Sequence, residues 1–457
     1  MKLAILGAAG VRTPLVLSSI LARREPIGLT ELALMDIDGG RLALMRALCE
    51  ALLGADPALK IIWTQDARAA IRGADFVITT FRVGGMESRV IDEQVPLRYG
   101  VLGQETTGPG GFAMGLRTIP VALEYVRLLR EETDNAWLLN FTNPAGMVTE
   151  AITSIGGYAR AVGICDNPSA MTREAARLLG VPPADLLVEY FGLNHLGWVR
   201  SIVHQGQDRL SELLDLVAHH SGEPLLGLPF EPEFIRLLGL LPNEYNYFYT
   251  NTAQAVGNLR QAGLSRAGQI MPLNIELYET LDHLRQEPDA SAPMKAAYLE
   301  YLARRESSYM SIETGHRHVI EQSGADPLAA SAEGYAGVAL GVIAALGRPS
   351  GALSILNVPN RGAIQGMGDE DVVELTCRVG HGAIRPLAVG RVPGHALGLM
   401  QLVKEYERLT IRAAVEGSYD LALKALALHP LVPSTAVARS ILDGYLREHG
   451  AYFPALS

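Results

Sequence analysis

Short apolar runs broken by glycine and polar turns set the rhythm of the first half of the chain. KLAIL (2–6), ELALMD (31–36), KIIWT (60–64), DFVITTF (75–81), AWLLNFTNP (136–144) and ARAVGIC (159–165) each predict a strand. Helical spacing fills the gaps, from Pro14 to about Arg24 and again over residues 38–54. Continuously apolar strands fit burial on both faces. Strands that alternate with helices need crossover connections, which make the sheet parallel. The expected fold is therefore α/β: a Rossmann-type, doubly wound parallel sheet over residues 1–194.

After about residue 195 the pattern changes. Helical spacing dominates residues 209–217, 258–284, 290–306, 328–346 and 398–428. Shorter β-like pieces, GALSILNVPN (351–360) and DVVELTCRV (371–379), lie between them. This predicts a C-terminal α+β domain over residues 195–457, a candidate substrate-binding and oligomerisation domain whose apolar helical runs can serve either core or subunit contacts. No internal repeat and no obvious flexible linker interrupt it.

Composition narrows the function classes. A chain of 457 residues, 48% hydrophobic and 19% charged, is an ordinary globular sequence with room for a large core. Its net charge of −10 argues against nucleic acid or an anionic membrane as the main partner, while leaving room for a local basic pocket. No apolar run reaches the roughly 18 residues of a membrane span. MKLAILGAAG at the amino terminus reads as a strand and turn rather than a secretory signal. Three cysteines without close spacing give no disulfide framework, so the expected setting is a reducing cytoplasm, where Cys165 can serve as a thiolate.

GAAGVRT (7–13) sits between the first strand and the first helix. Gly7 and Gly10 with small Ala8 and Ala9 fall short of the full G-x-G-x-x-G pattern, yet let backbone approach a pyrophosphate at a helix amino terminus. Asp36 ends the second strand, where an acid binds ribose hydroxyls and repels a 2′-phosphate, favouring NAD over NADP. Asp38 is either an alternative partner or the helix N-cap. A plain strand–turn–helix corner is the simpler alternative.

Further polar stretches gather at the expected strand ends. They are FRVGGMESR (81–89), GQETTGPGGF (103–112), NFTNPAG (140–146), GICDNP (163–168) and YFGLNHLGW (190–198). Each has a structural alternative: glycine turns, an asparagine cap before Pro144, a buried cysteine and a satisfied core histidine. Their recurrence at one edge favours a site. Cys165 and His195 are too far apart for a zinc knuckle and lack a second cysteine pair, so as ligands they would leave positions open, as catalytic metals require.

These stretches resemble glycoside hydrolase family 4, the NAD- and divalent-metal-dependent glycosidases, most closely its 6-phospho-β-glucosidases. GQETTGPGGFAMGLRTIP and NFTNPAG look like its distinctive loops, and GICDNP and YFGLNHLGW like its metal-ligand stretches. LPNEYNYFY (241–249) is similar to its tyrosine-rich stretch, and LNVPNRGAIQGMGDEDVVE to a late β-glucosidase segment. The resemblance implies Cys165 and His195 as ligands of Mn²⁺, Tyr245 as the base at C2 with Tyr247 and Tyr249 as rivals, Arg89 and Arg266 on a 6-phosphate, and Asn143 on the substrate. It implies C3 oxidation by NAD⁺, loss of the C2 proton, elimination of the aglycone, water addition and re-reduction. The implied partner is a phosphorylated disaccharide or glycoside, and the implied assembly a homodimer or tetramer.

Two positions depart from the β pattern. Asp166 stands where β-specific members usually carry asparagine, and resembles the leaving-group acid of the α-specific branch. RRESSYMS (304–311) replaces a lysine–arginine–glycine–glycine stretch. A 6-phospho-α-glucosidase and an unphosphorylated glycosidase are thus the nearest alternatives. A lactate- or malate-type dehydrogenase with His195 as proton acceptor, and a non-catalytic NAD sensor, are alternatives of other classes.

Overall fold

All six strands expected in the first half form, and they pair in parallel. They are β1 (Lys2–Leu6), β2 (Glu31–Met35), β3 (Lys60–Thr64), β4 (Phe76–Thr79), β5 (Trp137–Asn140) and β6 (Ala161–Gly163), in the order β3-β2-β1-β4-β5-β6. The computed structural model describes residues 1–54, 58–220, 226, 228–315 and 334–457. Leu3, Ala4, Leu6, Leu32, Ala33 and Leu34 are fully buried, as continuous apolar strands covered on both faces should be. The order reverses between β1 and β4, which opens a crevice at the strands' carboxyl ends. The helix Thr13–Ile27 begins with a proline in its first turn and stops at Gly28 in the left-handed region.

The sheet continues past β6 with antiparallel strands. Asn357 of β11 (Ala352–Pro359) pairs with Gly163, and β11 then pairs along its length with β12 (Val372–Gly380). Beyond lie β7 (Leu186–Leu193), β8 (Leu196–His204) and β10 (Leu241–Pro242), while β9 (Gln207–Asp208) and β13 (Ala383–Pro386) pair at the side. Both late β-like pieces were legible. The β7–β8 hairpin was not, because both faces of its apolar half are covered and no alternation marks it. The boundary expected at residues 194/195 falls on the turn of this hairpin, and one sheet runs through it.

Of the later helices, Leu210–His219 and Ser291–Ser307 match expectation. The stretch 258–284 divides into Thr252–Ala262 and Arg266–Leu284, because Gly263 is left-handed and Ser265 caps the next helix through Gly268 N. The stretch 398–428 divides at Gly417 and the capping Ser418. Of 328–346, residues 335–346 form a helix and 328–333 lie outside the described residues. Two helices that carry site residues escaped the hydrophobic pattern, Gly85–Arg98 and Pro109–Glu132. No helix among the described residues is long and apolar enough to cross a membrane.

Candidate active site

Gly7, Gly10, Asp36, Arg89, Asn143, Asp166, His195, Tyr245 and Arg266 line one cleft of about 600 Å³, Cys165 lies buried against His195, and the rival tyrosines Tyr247 and Tyr249 do not line it. The cleft opens at the carboxyl ends of β1, β4, β5 and β6. Gly7 makes the turn after β1: its φ is 106°, and a Cβ there would stand 2.6 Å from Phe81 N. Asp36 pins that turn, accepting from Ala9 N at 2.9 Å and from Asp38 N at 3.0 Å. Asp38 is the N-cap of the helix Gly39–Leu53, accepting from Arg41 N at 2.9 Å. Asp36, not Asp38, is therefore the acid built into the glycine turn. A tight turn at a strand end with a carboxylate beside it fits a dinucleotide.

Across the crevice, Cys165 Sγ lies 3.5 Å from His195 Nε2, and both side chains are buried. The tautomer of His195 follows from its neighbours. Gln104 Oε1 accepts from Thr106 N, from Thr107 N and from the Thr106 hydroxyl. That hydroxyl has spent its only proton, so it accepts from His195 Nδ1. The lone pair of Nε2 then faces the sulfur. Burial lowers the His195 pKa to about 4, against the opposing pull of Glu105, so the imidazole stays neutral as a ligand must be. Gln104 owes its place to the glycine-rich loop: a Cβ on Gly110 would stand 2.0 Å from the Gln104 carbonyl oxygen.

Burial raises the Cys165 thiol well above its ordinary range, and Glu374 and Asp166 add to the effect. A thiolate there calls for a cation, whose binding would displace the thiol proton. The Asn194 Oδ1 beside this pair is buried without a hydrogen-bond partner. Among the described residues no third His, Cys, Asp or Glu completes a metal cluster. A sulfur, a neutral imidazole and an orphaned amide oxygen fit an open divalent-cation site.

Tyr245 stacks on the His195 ring, with centroids 3.8 Å apart and planes 4° from parallel. Its hydroxyl meets the Tyr309 hydroxyl at 2.8 Å, and Tyr309 donates to Glu244 Oε1 at 2.6 Å. Asn167 Nδ2 donates to the same oxygen at 2.7 Å. Burial lifts the Glu244 carboxyl to about 7, although these two hydrogen bonds oppose the rise. The rival tyrosines face elsewhere. The Tyr247 hydroxyl points to Glu313 O at 3.4 Å, and Tyr249 packs near His429.

Asp166 sits at the start of the helix Asn167–Leu179, 3.9 Å from Arg12. Burial raises its carboxyl and Arg12 lowers it, but a third of the side chain is exposed, so water limits the rise. Asn143 lines the cleft after β5. Asn140, which looked equally available in the sequence, is engaged below it, its two amide protons shared among Thr142 O, Ala145 O and Thr149 Oγ1.

The far end of the cleft is cationic. Arg266 Nη1 donates to Ser308 Oγ at 2.6 Å and its Nη2 to Arg305 O at 2.8 Å, both neutral oxygens. Burial, then Arg305 and Arg89, pull the Arg266 pKa down to about 10. Arg89 is held differently: its Nε binds Glu93 at 2.8 Å and its Nη1 binds Glu105 at 3.0 Å. Burial works against its charge, but Glu105 and Glu93 outweigh that and keep it cationic. Sequence reasoning passed over Tyr309, Arg305 and Glu244 as site residues. All three stand inside stretches already singled out, but only packing shows which side chains turn inward.

Comparison with known proteins identifies the family. Residues 2–181 match the sequence profile of the family 4 glycosyl hydrolases, and residues 190–432 that of the family 4 glycosyl hydrolase C-terminal domain. A probable 6-phospho-β-glucosidase of Bacillus subtilis is 33% identical, over 99% of this chain and 97% of its own. The solved 6-phospho-β-glucosidase of Thermotoga maritima, with manganese, NAD⁺ and glucose 6-phosphate, superposes with a TM-score of 0.83 at 29% identity, covering both chains fully. A 6-phospho-α-glucosidase from gut microorganisms, in complex with NAD and Mn²⁺, gives a TM-score of 0.80 at 28% identity, over 100% of this chain and 99% of its own. The chain belongs to family 4 of the glycosyl hydrolases.

Proposed function

We propose that this chain hydrolyses 6-phospho-β-glucosides with NAD⁺ and a divalent cation, Mn²⁺ foremost, as cofactors. One observation carries the reading: a dinucleotide turn, a Cys–His pair and an Arg266 guanidinium hydrogen-bonded to neutral oxygens meet at one cleft. The relatives named above act on, or are solved with, phosphorylated glucose, and that is the ligand the arginine cluster suits.

NAD⁺ supplies reversible oxidation of the sugar at C3, and the cation steadies negative charge on the sugar oxygens. Everything else falls to the chain. Gly7 and Gly10 admit the pyrophosphate and Asp36 accepts the ribose hydroxyls. Cys165 and His195 Nε2 hold the cation. Arg266, with Arg305 and Arg89 nearby, takes the 6-phosphate, and Asn143 orients the ring. Tyr245 accepts the C2 proton. Its hydroxyl is aimed by Tyr309, and Arg89 lies within electrostatic reach to favour the tyrosinate. As the C1–O bond breaks, the aglycone leaves as an alcohol with a proton from Asp166, and water later adds at C1.

One observation favours 6-phospho-α-glucosides instead: Asp166 offers a partly buried carboxyl group where β-specific relatives are expected to carry asparagine. The deciding experiment measures release of p-nitrophenol from the α and β glucoside 6-phosphates and their unphosphorylated counterparts, with and without NAD⁺ and Mn²⁺. The proposal requires the β 6-phosphate to be fastest, and turnover to need both cofactors. Faster α turnover would reassign the anomer, and equal turnover of unphosphorylated sugar would remove the phosphate role. We also retain as proposals two units meeting near residue 195, a homodimer or tetramer, and a reducing cytoplasm that keeps Cys165 a thiol.

A further inference from the structure

Next to Cys165 lies a buried carboxylate that none of these steps uses. Glu374 stands on β12, opposite Asn357 of β11 on one side and Gly192 of β7 on the other. It is 1% exposed. Its Oε1 accepts from Asn194 Nδ2 at 3.1 Å and from Asn357 Nδ2 at 2.8 Å, and its Oε2 accepts from the Tyr190 hydroxyl at 3.1 Å. All three donors are neutral, and no Lys, Arg or His among the described residues forms an ion pair with it. An apolar packing of the same strands would avoid the cost of burying this charge, so the carboxylate calls for a cation from elsewhere.

The structure points to where that cation sits. Asn194, the residue before His195, links the two sites: its Nδ2 donates to Glu374 Oε1 at 3.1 Å, and its side chain favours the Cys165 thiolate. Glu374 and Asp166 are the two carboxylates that act on Cys165. Asp166 already faces Arg12. A dication on a thiolate and a neutral imidazole leaves one positive charge over, and Glu374 is the buried group that cancels it.

We propose that Glu374 is a positioning residue of the metal site: it supplies the buried negative charge that balances a divalent cation on Cys165 and His195, and it fixes the Asn194 amide against the sulfur. The inference rests on Cys165 and His195 being the metal ligands. Glutamine at this position keeps the shape and removes the charge, whereas aspartate keeps the charge and shortens the reach.

The test is calorimetric titration of MnCl₂ into the full chain with NAD⁺ bound, for the parent, Glu374→Gln, Glu374→Asp and Cys165→Ser. Glu374→Gln should bind Mn²⁺ about 10–100-fold more weakly, the usual cost of losing an outer partner of a metal ligand. Glu374→Asp should bind more tightly than Glu374→Gln. Without metal, Glu374→Gln should melt no lower than the parent, which a merely structural glutamate would not allow. Parent-like Mn²⁺ affinity in Glu374→Gln, or weaker binding by Glu374→Asp than by Glu374→Gln, would overturn the inference. If Glu374→Gln does not fold, a loss of more than about tenfold in Glu374→Asp overturns it. Unchanged binding by Cys165→Ser would overturn the ligand assignment and this inference with it. Loss in Cys165→Ser with parent-like Glu374→Gln would overturn this inference alone.

Discussion

Replacing Arg266 with methionine separates phosphate recognition from folding. Arg266 is 9% exposed, and burial together with Arg305 and Arg89 lowers its pKa from 12.5 to about 10. At about 1.4 kcal/mol per pKa unit, holding this guanidinium charged among its neighbours costs about 3 kcal/mol. The group is charged in both folded and unfolded chains below pH 10, so the folded state carries that cost throughout the working range. A phosphate dianion relieves it. Methionine keeps the stem's packing and removes the charge, at the expense of hydrogen bonds to Ser308 and Arg305 worth about 1 kcal/mol each. Without ligand, Arg266→Met should therefore melt close to the parent or above it. Charge-assisted bonds to phosphate are worth about 1.5–3 kcal/mol, so kcat/KM for p-nitrophenyl β-glucoside 6-phosphate should fall about 10–150-fold. The unphosphorylated glucoside should hardly change, and glucose 6-phosphate should lose most of its effect on the melting temperature. Equal losses on both substrates, with undiminished stabilisation by glucose 6-phosphate, would refute the reasoning.

Other positions give sharper chemical readouts. Cys165→Ser should fold normally and lose Mn²⁺-dependent turnover; full activity with added Mn²⁺ would remove its ligand role. Tyr245→Phe should stop exchange of the C2 proton with solvent, and exchange that persisted would shift the role of base to Tyr247 or Tyr249. Glu244 has its carboxyl raised to about 7, so the folded chain holds its proton more tightly than the unfolded chain does. Its contribution to stability is present at low pH and is lost as pH rises from about 4.5 through 7, by up to about 3 kcal/mol. Melting temperatures over that range should fall less steeply in Glu244→Gln, and identical slopes would contradict the placement.

The parallel half of the fold was legible because its inner strands are covered on both faces and read as short apolar runs. Where two structural rules compete, legibility fails. Apolar runs in the β7–β8 hairpin carry no period that separates strand from helix. The helix Pro109–Glu132 opens on glycines and a proline and so imitates a loop. In the site, residue types with few roles stood out: a lone cysteine at a strand end, a histidine between glycine and tryptophan, an acid closing β2. Residues acting through others did not. Thr106 matters because its hydroxyl proton goes to Gln104, and Glu374 because three neutral donors converge on it, and both facts belong to packing.

The central claim is that the glycosidic bond breaks by elimination after the sugar is oxidised next to the C2 hydrogen. Turnover in D₂O, with mass and NMR analysis of the released glucose 6-phosphate, tests it most directly. The account predicts deuterium at C2 of the product, and no release from protein stripped of NAD⁺ and metal. Release from such stripped protein, with the original hydrogen still at C2, would contradict it.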